Sequence, residues 1–239
     1  MKHFIKAFLE YTPYRIIRDR GRNRFQAIDA SLRNMKGRGY RPSIVIDGGA
    51  HLGMFSLAAA KTFPDAKYHL IEPQEPCLGP LRKLCAKNHF VLHEFALSDQ
   101  LGTVKFLKTV TPSTGAYVNP IYPGDEVITV PATTLDALFV DQITEDMRAL
   151  LKLDIQGQEL AALKGGMKML QSIEVVLIEV MFLPFGPSIA SIVAFFEENG
   201  FELYDIASLS GRMRDNRLAG GDLIFARRNG GLMADLNGG

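Results

Sequence analysis

The sequence predicts an α/β fold on a largely parallel sheet, preceded by a helical extension. Three observations carry this. From Ser43 onward, short apolar runs alternate with stretches of helical apolar period, the pattern of parallel strands joined by crossover helices. The first run, Ile44 to Ile46, ends in Asp47 and crosses Gly48 and Gly49 to reach Gly53, a strand, a tight turn and a helix start. Asp47, Glu72, Asp99, Asp154 and Glu179 all fall at or just past expected strand ends, and the carboxyl ends of such strands are where open sheets bind ligands.

Residues 1–42 read as one or two helices, interrupted at Pro13 and closed by Gly37 to Gly39, forming a lid or docking extension. Strands are expected at 44–47, 67–72 and 90–96, with helices at 53–62 and 76–87 between them. GTVKFLKTV and EVITVPATTL read as a hairpin-like insertion around the long polar loop 111–125. LLKLDI is a strand ending at Asp154; a helix follows from about Gln158 to Leu170, and EVVLIEV is a strand ending near Glu179. Pro187 and Ser188 open a helix with Phe195 and Phe196 in its core stripe, and Gly200 stops it as a left-handed cap. FELYDIA and DLIFARR, joined by a short connection, predict an antiparallel pair at one sheet edge. The main domain is thus 43–228, and Gly-rich 229–239 reads as a disordered tail.

A chain of 239 residues, 47% hydrophobic, suffices for one large domain. Its net charge of +1 argues against a dedicated nucleic-acid binder. The charge is uneven: residues 1–41 carry eleven Lys/Arg against three Asp/Glu, a net of +8, leaving −7 for the rest. Two readings stay open, a solvated basic helix and a segment that meets an anionic surface or a second copy of the chain. Cys77 and Cys85 lie eight positions apart on one expected helix, about 12 Å at 1.5 Å per residue, too far for a disulfide. That usage fits a cytoplasmic protein. The amphipathic N-terminus is too often interrupted by charge for a transmembrane segment.

The turn at 47–53 discriminates among ligands. A phosphate loop needs Gly-Lys-Ser/Thr at its end, and Gly53 is followed by Met54. A dinucleotide fingerprint is degenerate here, with Ala50 where glycine lets the backbone approach a pyrophosphate. Asp-x-Gly-x-x-x-Gly, by contrast, suits a ligand without phosphates, with Gly49 at the closest backbone approach. Glu72, nineteen residues after Gly53, can bridge two ribose hydroxyls, a feature common to NAD and S-adenosylmethionine sites.

VIDGGAHLGMFSLAAA, HLIEPQEPCLGPLRKL, EFALSDQLGTVKF, TTLDAL, LLKLDIQGQELAALKGG and VLIEV come in series over Ile44 to Val180. In order and spacing the series resembles the FkbM-type S-adenosylmethionine-dependent methyltransferases. The resemblance implies a Rossmann-like class I methyltransferase sheet of seven strands, order 3-2-1-4-5-7-6, last strand antiparallel. It implies that Asp47 and Gly49 hold the methionine part of the cofactor, with Ala50, His51 and Gly53 of the same turn also at the cofactor. Glu72 would take the ribose diol, Ser98 and Asp99 the adenine, and Asp154 would face the methyl group and acceptor. His51 stands where the family usually has Asn, and Gln156 where the Lys-x-Asp-x-Glu-Gly run has Glu.

The expected activity is O-methylation of a small-molecule or glycan acceptor, a sugar hydroxyl or a secondary metabolite. Asp154, Glu179 and His51 are the candidate catalytic groups, and Mg2+ shared by Asp154 and Glu179 is the accompanying metal expectation. Competing readings are a nicotinamide-dependent oxidoreductase, against which the turn and the lack of a Tyr-x-x-x-Lys pair speak, and a non-catalytic binding module. Tyr117, Asn119 and Tyr122 are expected to line the acceptor pocket. His51 could instead cap the following helix, and Glu159, in the first turn of its helix, could serve only the macrodipole. His69, His89 and His93 are assigned no role.

Overall fold

The computed structural model describes residues 24–107, 126–182 and 186–234. In chain order the elements are α1 (Arg24–Gly37), β1 (Ile44–Gly48), α2 (Met54–Thr62), β2 (Lys67–Ile71), α3 (Glu75–Asn88), β3 (Val91–His93), β4 (Ala96–Leu97), β5 (Gly102–Leu107) and β6 (Val127–Thr133). They continue with α4 (Leu135–Phe139), β7 (Ala149–Leu153), α5 (Glu159–Lys164), β8 (Ile173–Met181), α6 (Ile189–Glu198), β9 (Phe201–Leu209) and β10 (Gly220–Arg227). The Pro13 break and the residues Tyr117, Asn119 and Tyr122 lie outside the described residues.

Strands covered on both faces need apolar side chains on both, and IVIDG, ALLKL and IEVVLIEVM are buried along nearly their whole length. They form the centre of a seven-stranded sheet ordered β3-β2-β1-β7-β8-β10-β9. Numbered within that sheet the order is 3-2-1-4-5-7-6, as the resemblance implied. β10 runs antiparallel to both β8 and β9, and the other pairings are parallel. One face packs Leu151, Val176 and Ile178 against α6, where Phe196 stacks on Phe225 with centroids 4.1 Å apart. The opposite face packs Val45, Leu150 and Leu177 under α1, α2 and α3. Helix α1 buries Ala27, Ile28, Ser31, Leu32 and Met35, and Ser31 donates to Asp205 of β9 at 2.6 Å. The part of the N-terminal extension that is described is therefore packed on the main domain.

Three expectations change. The strand foreseen at 90–96 is split: β3 stays in the main sheet, and β4 joins a three-stranded sheet, β4-β6-β5. The helix foreseen over 158–170 stops at Lys164, because the next two residues are glycines wedged against other chain segments. A Cβ on Gly165 would lie 2.2 Å from the Ser98 carbonyl oxygen, and one on Gly166 would lie 2.8 Å from Leu135 Cβ. Residues 229–234 do not behave as a disordered tail. Leu232 is buried in the core and its N–H donates to Glu174 at 3.1 Å, a carboxylate that Arg148 also grips through two nitrogens at 2.6 and 2.8 Å.

At the β2–β3 edge, His69 Nδ1 and His93 Nε2 are 3.0 Å apart, and both rings meet Phe139 edge-on. Burial lowers both pKa values; that of His69, pushed down further by His93 and Lys67, falls to about 4. The folded chain thus resists protonation that the unfolded chain accepts below 6.5. Stability falls as pH drops from about 6.5 towards 4.

Two outcomes follow. The urea midpoint of the wild type should decline across that pH window, and His69→Gln, which does not titrate, should flatten the decline. Gly165→Ala should cost about 2–3 kcal/mol in urea unfolding, whereas Gly37→Ala, with nothing within 4 Å of the added carbon, should stay within about 0.5 kcal/mol.

Candidate active site at the carboxyl ends of the strands

The carboxyl ends of β1, β2, β7 and β8 face the three-stranded sheet across a cavity of ≈ 330 Å³. The main sheet contributes Gly49, Glu72, Asp154 and Glu179 to its wall; Leu97 and Phe106 come from the small sheet, and Arg24 from α1.

The turn after β1 is built on a close approach. Gly49 has φ 74°, and a Cβ there would lie 1.9 Å from the carbonyl oxygen of Asp154, so only glycine lets the ends of β1 and β7 meet. Asp47, fully buried, does not reach the cavity. Its carboxylate accepts from Ser56 Oγ at 2.7 Å and pairs with Lys152 Nζ at 2.9 Å. The same ammonium donates to the carbonyls of Gly48 (3.2 Å) and Gly49 (2.8 Å). Burial works against the charge on Lys152, but Asp47 and Asp154 outweigh it and raise its pKa, so the group stays charged.

Glu72, just past β2, accepts backbone N–H bonds from His51 (2.8 Å) and Gln74 (2.9 Å), one on each oxygen. Its carboxylate is thereby fixed at the cavity wall, with the Gln74 side chain as a further donor. Burial raises its pKa, against those backbone bonds. His51 adopts φ 51° and its ring does not cap α2, whose N-terminus has no side-chain cap. The ring lies at the cavity, and its buried Nε2 has no hydrogen-bond partner among the described residues. Burial lowers its pKa, so the ring is neutral and can accept a proton. Ala50 is buried behind the turn, Gly53 packs on Leu84, and Ser98 and Asp99 lie past β4, outside the cavity wall.

The far end of the cavity is an acid cluster. Arg24 Nη1 lies 3.0 Å from Asp154 and 3.2 Å from Glu179, while Nε (2.7 Å) and Nη2 grip Asp222. Ser208 also donates to Asp222. The side-chain nitrogen of Gln156 donates to Asp154 at 2.8 Å and to Glu179 at 2.7 Å. Glu159 takes the N–H groups of Ile155 and Gly157 at 3.0 Å each, which holds the turn that aims Gln156. Burial opposes ionisation of Asp154, but Lys152 and Arg24 prevail and hold its pKa below the usual carboxylate range. Glu179 moves the other way, raised by burial and by the charge of Asp154.

These contacts test the two groups that were expected. A fixed acid at one end, a close glycine turn and an apolar wall of Leu97 and Phe106 fit a nucleoside-bearing sulfonium ligand. Mg2+ does not fit between Asp154 and Glu179, because a guanidinium nitrogen already stands within 3.2 Å of both. Among the described residues no group of three or more His, Cys, Asp or Glu is arranged to hold a metal. The sequence reading missed Arg24, Lys152 and Asp222. Lys152, flanked by leucines in a strand buried on both faces, carried a signal, since such an ammonium must have a partner. Arg24, 130 positions from Asp154, carried none.

Lys152→Met should leave Asp47 and Asp154 buried without their cation and cost about 3–5 kcal/mol in urea unfolding. Adding Asp47→Asn should recover part of that loss.

The Methyltransferase FkbM domain model matches residues 47–203. Among solved structures, an FkbM methyltransferase from Methylobacillus flagellatus is 15% identical with a TM-score of 0.53; the match covers 77% of this chain and 43% of that one. Magnesium protoporphyrin IX methyltransferase from Synechocystis, solved with bound S-adenosylmethionine, is 13% identical at a TM-score of 0.49, covering 94% and 91%. No curated protein matches the sequence. Among the described residues, no helix is long and apolar enough to cross a membrane. With two thirds of its length matched and the sheet order in place, the chain belongs to the FkbM family of S-adenosylmethionine-dependent methyltransferases.

Proposed function

We propose that the chain methylates a hydroxyl group on a sugar unit or a secondary metabolite. The observation that carries this reading is the pair Asp154 and Glu179, two carboxyl groups on one wall held at unequal basicity. S-adenosylmethionine, when bound, would supply an electrophilic methyl group on a positively charged sulfur. The protein's share is alignment and removal of the hydroxyl proton.

A carboxylate held ionised by two cations is a poor proton acceptor, and one of raised basicity is a better one. Glu179 therefore takes the hydroxyl proton, while Asp154, which stays ionised, holds Arg24 and Gln156 in place beside it. His51, neutral and with a free ring nitrogen, is a second acceptor on the same wall. At the cofactor end, the fixed oxygens of Glu72 suit two ribose hydroxyls, and Gly49 allows close backbone approach. Asp47 acts through Lys152 and the turn rather than by touching the cofactor, since it is sealed from the cavity. Leu97 and Phe106 are the apolar wall against which the adenine ring would lie, and Ser98 and Asp99 stand just beyond it.

Calorimetric titration with S-adenosylhomocysteine and, separately, NADH tests the cofactor reading. The former alone should bind in the micromolar range, and Glu72→Ala should weaken it by about 10²-fold or more, the worth of two hydrogen bonds to a charged group. With a panel of hydroxylated acceptors under cofactor saturation, Glu179→Gln should lower kcat by about 10²-fold or more with S-adenosylhomocysteine affinity unchanged. Full turnover in that variant would overturn the assignment of the base.

A further inference from the structure

We infer that Arg24 stands where a divalent cation would otherwise bridge Asp154 and Glu179, so that α1 completes the acceptor site and transfer there proceeds without a metal. The inference rests on the methyltransferase reading above and adds a positioning residue to it.

Two independent observations carry it. The first is how the guanidinium is divided. A residue that merely anchored α1 would need only the two-pronged contact to buried Asp222, made through Nε and Nη2. Nη1 is turned the other way, into the cavity wall, where it reaches Asp154 at 3.0 Å and Glu179 at 3.2 Å. One positive nitrogen near two carboxylate oxygens from adjacent strands does the electrostatic work of a bridging ion.

The second is Gln156. A carboxylate at position 156 would be a third acid beside Asp154 and Glu179, a harder and more negative site suited to a divalent ion. The amide instead donates to both acids, at 2.8 and 2.7 Å. It does so from φ 56°, a backbone conformation that costs a non-glycine residue energy and persists where its contacts hold it. Arg24 and Gln156 between them supply donors to the acid pair from both sides, so that, among the described residues, a guanidinium nitrogen stands where a bridging ion would sit.

The inference makes Arg24 replaceable by a metal, a property no structural anchor has. Mn2+ is the probe, read by electron paramagnetic resonance and calorimetry on the full chain. The wild type should bind no Mn2+ at this site, and its S-adenosylhomocysteine affinity should be the same with EDTA or excess Mg2+. Arg24→Ala should gain a sub-millimolar Mn2+ site that Glu179→Gln, added to it, removes. Arg24→Lys, which keeps a cation, should gain none. If Arg24→Ala fails to fold, Arg24→Gln carries the same test with a polar side chain of similar reach. Mn2+ binding by the wild type that is lost on Glu179→Gln would overturn the inference. So would a folded, S-adenosylhomocysteine-binding Arg24→Ala that takes no Mn2+. A wild type that binds no S-adenosylhomocysteine would instead sink the methyltransferase reading, and the Mn2+ comparison would still decide the role of Arg24.

Discussion

The ammonium of Lys152, buried in the middle of the sheet, is the constraint on which the site depends. A cation taken out of water costs several kcal/mol unless it is paired and hydrogen-bonded, and Lys152 gets its partners from the very groups that form the site. Asp47 faces it from β1, the carbonyls of Gly48 and Gly49 accept from it, and Asp154 lies 3.9 Å away at the end of its own strand. The turn after β1 is thus tied to one charge below the cavity and out of reach of a ligand, and the same charge, together with Arg24, keeps Asp154 ionised.

From that centre the charges run outwards in alternation. Asp47 and Asp154 flank Lys152, and Arg24 lies beyond Asp154 with Glu179 and Asp222 around it. The alternation sorts the two acids on the acceptor wall. Asp154, between two cations, stays charged; Glu179, further from Lys152 and next to the charge of Asp154, is the group on which a proton is most easily held. Unequal neighbours give two similar carboxyl groups different chemistry, which is the usual route to an acid–base division of labour.

The rest of the fold brings these groups together and shields them. Gly49 and Gly165 permit backbone contacts that any side chain would block, the first joining β1 to β7 and the second seating the end of α5 against Ser98 beside the small sheet. The small sheet then lays Leu97 and Phe106 across from the acids. Helix α1, held by Ser31 to Asp205 and by its own apolar face, delivers Arg24 to the other side.

A largely parallel sheet, its crossover helices and the acids at the strand ends were legible in the sequence, because buried parallel strands and glycine turns leave patterns within a few residues; the count of seven strands and their order came from the family resemblance. Asp47, Glu72, Asp154 and Glu179 were legible as a set for that reason. Local pattern also misled where the cause was distant: the helix after Gln158 has the right period to continue, and it stops because Gly165 and Gly166 meet Ser98 and Leu135. Which acids reach the cavity, which one is buried beneath it, and which cation neutralises them were decided by tertiary structure alone. Arg24 and Asp222 stand 198 positions apart, and a pairing at that separation is fixed by how α1 packs across the finished sheet, a property that no stretch of sequence around either residue encodes.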